Sequence, residues 1–207
     1  MSIQPITGNY GQLPQLPPPV YGQPPVGTQP STLTEGDTFN QIGGYVGSAG
    51  GGGFASFKLN GAVAANYKNT LDMIHNGSGV GNTFKALFTG TKEFAKISFK
   101  AAGLSALVGG GVSVVVNGYQ AATGKITGGT AAGNIAADAV TSAVGGVGAV
   151  AVGGTVTWGL GKFLSGTPLA IIGIGAGIAG SVLATHLIKK TGIDQGIRDG
   201  VKGMFGS

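Results

Sequence analysis

The 207 residues include 43 glycines but only 9% charged residues, against roughly 25% in an average soluble domain, and the mean hydropathy is positive at +0.30. So little charge excludes an ordinary water-facing surface and points to lipid or to an assembly, while a net charge of +5 without dense basic runs argues against a nucleic-acid partner. With no cysteine, a disulfide framework, a thiol nucleophile and a thiolate metal site are all excluded.

Residues 1–38 hold eight of the nine prolines, with no charge before Glu35. Proline fixes φ and removes a backbone donor, so this stretch is expected to be a disordered arm, partly polyproline II, without a core of its own. Pro18, Pro19 and Tyr21 form a Pro-Pro-x-Tyr segment of the kind that docks into aromatic grooves, and Pro14 to Pro17 fits PxxP, so these are candidate partner-binding residues; a plain flexible arm is the alternative. The first basic residue is Lys58, so no N-terminal secretory signal is expected, and export would need another route. Residues 43–53 are dense in glycine and read as a flexible hinge, which closes an arm-and-hinge region at 1–53.

Residues 54–100 read as amphipathic helices. Leu59, Val63, Tyr67, Leu71 and Ile74 share a face until Asn76, Gly77, Ser78 and Gly79 interrupt it. From residue 82 to 100, Phe84, Leu87, Phe88 and Ala95 lie on one side and Lys85, Lys92 and Lys96 on the other. That pattern suits a helix lying flat at a membrane surface with its lysines near phosphates, and it equally suits a helix packed on the protein's own core. Residues 101–124 carry no charge and read as a third, weakly hydrophobic membrane segment or as a helix buried against the rest.

Within residues 101–207 the strongest signal is the stretch 139–188, whose one charge, Lys162, sits near Pro168. A helix over 139–161 would be about 35 Å long, enough for roughly 30 Å of hydrocarbon, and the pair of runs reads as a membrane hairpin. In steps of four from Gly133 come Ala137, Thr141, Gly145, Ala149, Gly153, Thr157, Gly161 and Ser165, all small; the second run repeats this with Gly173, Gly177, Ser181 and Thr185. Residues four apart share a helix face, so two smooth grooves are expected to zip together, with Gly145, Ala149, Gly153, Thr157, Gly161, Gly173, Gly177 and Ser181 as the packing residues. Trp158 suits an interfacial anchor, and Lys189 and Lys190 supply a basic flank of the kind that stays cytoplasmic. His186 reads as a near-interface histidine without a task. Residues 191–207 place Ile193, Ile197, Val201 and Phe205 four apart and read as another interfacial helix.

One competing motif is present. Gly175, Gly177 and Gly180 after an apolar run fit the dinucleotide fingerprint, yet only 27 residues follow Gly180, too few for the remaining βα units. With seven acids and two histidines and no HExxH, EF-hand, Walker A or G-x-S-x-G pattern, the chain is read as non-enzymatic, without cofactor or metal.

The run from Gly118 to Gly129, the segment from Asn134 to Asp138, the two small-residue spans and the segment from Asp194 to Gly200 resemble the glycine-zipper hairpins of bacterial secreted effectors and polymorphic toxins, and more loosely the apolar hairpin of pore-forming colicins. The resemblance covers somewhat under half the chain and implies a hairpin that enters a target membrane, without the C-terminal enzymatic domain of the toxins. The expectation is therefore an all-α protein: a glycine-zipper hairpin with flanking amphipathic helices and a disordered proline-rich arm. Expected of it are residence in a bacterial envelope or a target-cell membrane, self-association as a homo-oligomer and bilayer permeabilisation or remodelling. The alternative is a structural or adaptor protein anchored in the membrane of a compartment or particle, recruiting partners through the arm.

Overall fold

The computed structural model describes residues 35–205, and among these the chain is all-α, with five helices and no strand. α1 (Glu35–Asn76), α2 (Val80–Ala122), α3 (Gly128–Leu160) and α4 (Gly166–Thr191) are followed after one residue by α5 (Ile193–Met204). A glycine with positive φ marks each reversal, Gly79, Gly124 and Gly192 in the connections and Gly166 as the first residue of α4, a conformation that a side chain would strain. The start of α3 is fixed by Thr127, whose hydroxyl accepts the Thr130 amide at 3.1 Å.

The four long helices alternate in direction. Gly51 of α1 faces Ser105 of α2, while Gly90 of α2 faces Thr70 of α1; Gly146 of α3 faces Ser105, and Gly148 of α3 faces Gly180 of α4. α1 and α3 run parallel and touch each other, through Ser48 with Gly145 and Val63 with Gly154, whereas α2 and α4 do not touch. The short α5 folds back on α3, with the Arg198 carbonyl oxygen 2.7 Å from where a Cβ on Gly133 would lie.

The expected hinge at residues 43–53 is not there: these residues lie inside α1. Glycine costs an exposed helix about 1 kcal/mol relative to alanine, which is why the run reads as a break. Here the missing side chains are used instead. A Cβ on Gly47 would stand 3.0 Å from the Cα of Gly109, and one on Gly52 would collide with Ser181, so the helix is held by neighbours that approach its backbone. Residues 82–122, read as parts of two segments, form one continuous helix, α2, which ends before Thr123 and Gly124.

The distribution of side chains reverses that of a water-soluble bundle. Among the described residues the fully buried large apolar ones are Val63 and Val150, and the remaining interior is alanine, glycine, serine, threonine, asparagine, aspartate and Gln120. Leu107, Val115, Ile171, Leu183 and Leu187 point outward. In α2 the small residues Ala86 and Gly90 are buried, while Phe84 and Phe88 are 70% and 75% exposed. This helix thus packs on its neighbour with a small face and displays its phenylalanines. Three helices, α2, α3 and α4, are long and apolar enough to cross a membrane.

Glycines with and without neighbours should respond oppositely to alanine. Gly103, Gly111 and Gly175 have nothing near a Cβ, so alanine there should stabilise by about 0.5–1 kcal/mol each. Alanine at Gly145, Gly146 or Gly177 meets packed atoms and should destabilise by about 1–3 kcal/mol. Thermal unfolding of detergent-solubilised variants, followed by circular dichroism, checks the contrast.

Candidate functional site

The interior is organised as columns of residues spaced by four. α1 contributes Gly44, Ser48, Gly52, Ser56 and Asn60, α2 contributes Ala101, Ser105, Gly109, Ser113 and Asn117, and α4 contributes Gly173, Gly177, Ser181 and Thr185, all buried. α3 carries two adjacent columns, one from Ala137 through Thr141, Gly145, Ala149 and Gly153, the other from Asn134 through Asp138, Ser142, Gly146, Val150 and Gly154. An i, i+4 row of small groups lets the next backbone approach closely. α3 therefore contacts all four other helices.

The residues singled out as a packing stripe divide as follows. Gly145 faces Ser48 of α1 and Ser181 and Thr185 of α4; Gly153 faces Asn60 and the Gly173 carbonyl; Gly177 faces Ser56 and the Ala149 carbonyl; Gly173 faces Thr157. The groove is shared with α1 and is not a two-helix affair. Gly161 is the C-cap of α3 and Ser165 the N-cap of α4, so the stripe ends at Thr157 and these two belong to the turn.

Hydroxyls and amides stitch the columns together. Ser181 donates to the Ser48 carbonyl at 2.7 Å, the Ser48 hydroxyl bonds with Thr185 Oγ1 and lies 3.0 Å from Ser181 Oγ, and Asn60 Nδ2 donates to the Gly173 carbonyl at 3.0 Å. In membrane proteins such contacts contribute on average about 0.6 kcal/mol each, so close backbone packing outweighs any one of them.

Toward the α5 end the polar groups become ionic. Ser113 donates to Asp138 Oδ2 at 2.7 Å, Asn117 donates to Ser113 Oγ at 2.9 Å, and Asn134 donates to Asn117 Oδ1 at 2.9 Å. Arg198 of α5 closes the set, donating to Asn134 Oδ1 at 3.1 Å and to Asp138 Oδ1 at 3.3 Å. The Asp138 and Arg198 side chains are 5% and 19% exposed, so the pair is largely desolvated and holds α5 against α3. Lys189 stands over the Tyr45 ring at 4.1 Å, and a side chain on Gly44 would meet both Lys189 and Asp138. Lys189 is thus half-buried in the bundle, while Lys190 is exposed.

Lys85, Lys92 and Lys96 are exposed on α2, with Lys96 paired to Glu93 at 2.6 Å. Trp158 is half-buried at the opposite end from Arg198, edge-on to Tyr67, which stacks on Phe94, and Lys162 lies 5.2 Å from its ring centre. Asp72 accepts a hydrogen bond from Lys68 at 2.9 Å on the exposed surface of α1. Pro18, Pro19 and Tyr21 lie outside the described residues. Gly175, Gly177 and Gly180 sit inside α4 with no preceding strand, so the turn that a dinucleotide fingerprint needs does not form.

Reading the sequence in fours from Gly133 onward missed the matching columns in α1 and α2, though the same spacing runs from Gly44 and from Ala101. The Asp138–Arg198 pair has no local signal, because its partners are 60 residues apart. No protein-family model, curated protein or solved structure matches the chain.

Arg198→Leu should strand the Asp138 carboxylate and cost about 3 kcal/mol, with the double change Asp138→Leu and Arg198→Leu recovering most of it. Chemical denaturation in detergent reads the cycle, and amide exchange of α5 reports whether that helix detaches first.

Proposed function

We propose that the chain is a non-enzymatic integral membrane protein whose α1–α4 bundle sits in a bilayer and serves as an anchor. The observation that carries this reading is the reversal of side chains, with large apolar groups outside and hydroxyls, amides and one ion pair inside. A slab about 30 Å thick centred on the level of Ser48, Gly145 and Ser181 fits the helices, at 1.5 Å per residue. Its borders cross α3 near Ala136 and Gly154, α4 near Gly173 and Thr191, and leave Lys68, Lys85, Lys92 and Lys162 beyond one edge. Lys58 and Lys100 lie inside that edge, close enough for their stems to reach headgroups. The half of the bundle that includes these residues holds seven lysines, Lys58, Lys68, Lys85, Lys92, Lys96, Lys100 and Lys162, against Asp72 and Glu93, so it, and not the Lys189–Lys190 end expected from the sequence, is the end read as facing the anionic, cytoplasmic-type leaflet. As an anchor, the chain would recruit a partner through Pro18, Pro19 and Tyr21.

A second reading, an effector-like chain that self-associates and permeabilises the bilayer, draws on Gly103 and Gly111 of α2 and Gly175 of α4, whose faces are open to another backbone. Its glycine-zipper contacts would be between copies, in addition to those within one chain. Dye leakage from vesicles separates the two, since an anchor leaves the vesicles tight.

Membrane residence is tested by flotation with vesicles. Wild type should float and resist alkaline extraction, and Leu183→Asp, at the slab centre and 62% exposed in the wild type, should lose about 3 kcal/mol of insertion free energy and shift to the unbound fraction. A wild-type chain that stays folded, monodisperse and unbound without detergent would overturn the reading.

A further inference from the structure

Resting on the membrane reading above, we propose that the groove beside Trp158 is a binding site for one anionic phospholipid. The groove lies between α1, the end of α3 and the start of α4, with a volume of about 530 Å³, within the roughly 300–1,000 Å³ of small-molecule pockets. Leu71, Trp158 and Leu169 give it apolar walls, and Lys68 and Lys162 stand at its rim.

The occupant follows from charge and position. Trp158 falls about one turn beyond the hydrocarbon edge of the slab, at the depth of headgroups and first acyl carbons. An acyl chain fits the apolar wall, and a phosphate fits the two ammonium groups. Lys68 is partly neutralised by Asp72 at 2.9 Å, whereas Lys162 stands over the Trp158 ring, 5.2 Å from its centre. Lys162 is therefore the principal phosphate ligand and Lys68 the second, with Asp72 moderating it.

Trp158 is the chain's single tryptophan, so its fluorescence reports this groove alone. In vesicles, brominated phosphatidylglycerol and brominated phosphatidylcholine are compared as quenchers at the same low mole fraction. The anionic quencher should act as though enriched roughly tenfold over bulk, given about 1 kcal/mol per lysine near an anionic surface. Lys68→Ala with Lys162→Ala should bring it down to the phosphatidylcholine level, and Asp72→Asn should raise it above wild type. Equal quenching by the two lipids in wild type overturns the lipid site while leaving membrane residence standing. No quenching by either lipid overturns both when the chain also fails to float; in a chain that floats, it means that protein covers the groove, and the lipid site alone falls.

Discussion

The approach of helix backbones to one another, allowed where a Cβ is missing, is the constraint on which the rest of this structure depends. α3 can touch α1, α2 and α4 at once because Gly145, Gly146, Gly148, Gly153 and Gly154 present no side chain toward them. The large side chains, excluded from such narrow spaces, are left on the outer faces of α2 and α4. Packing and surface chemistry therefore have a single cause. In water the outcome would be costly, since each exposed valine, leucine or phenylalanine forgoes roughly 1.5–3 kcal/mol of burial. In lipid that cost disappears, and close packing between helices becomes the main source of cohesion.

The polar interior follows from the same geometry. Serine and threonine are the largest side chains that fit most of these contacts, and a hydroxyl buried in a dry interior is costly unless it is hydrogen-bonded. Ser48, Ser181 and Thr185 satisfy one another across two helices, α1 and α4, and Asn60 reaches a backbone carbonyl of α4. Such bonds add little energy singly but fix rotation and register, because a helix turned by one residue would lose its small face and its partners together. Asp138 extends this logic to a charge, with Ser113 and Arg198 supplying the hydrogen bonds that a buried carboxylate requires.

The sequence made some of this legible. The uncharged runs around Lys162 and the i, i+4 pattern from Gly133 to Thr185 correspond to α3, its turn and α4, since chain composition and helical spacing are local properties. Residues 43–53 misled because glycine signals flexibility wherever solvent is the neighbour, and only contacts with Ser105, Gly109 and Ser181 explain its helical state. The amphipathic pattern at Phe84, Phe88, Lys85 and Lys92 left two placements open, because periodicity marks a face without naming what covers it. What meets α1 here is Gly90, against Thr70 and Asn66, on the same buried face as Ala86. The ionic cluster was invisible, as Arg198 and Asp138 meet only after α4 reverses the chain and Gly192 turns α5 back.

The contact between α1 and α3 has a further consequence. In many four-helix bundles the diagonal pairs stand apart and enclose a central space that can hold water or a cofactor. Here one diagonal is closed, and Gly52 and Ala149 occupy the axis. Among the described residues this axis is filled by close packing, so an aqueous conduit along it would have to be assembled between several chains, with the outer faces of α2 and α4 as its walls.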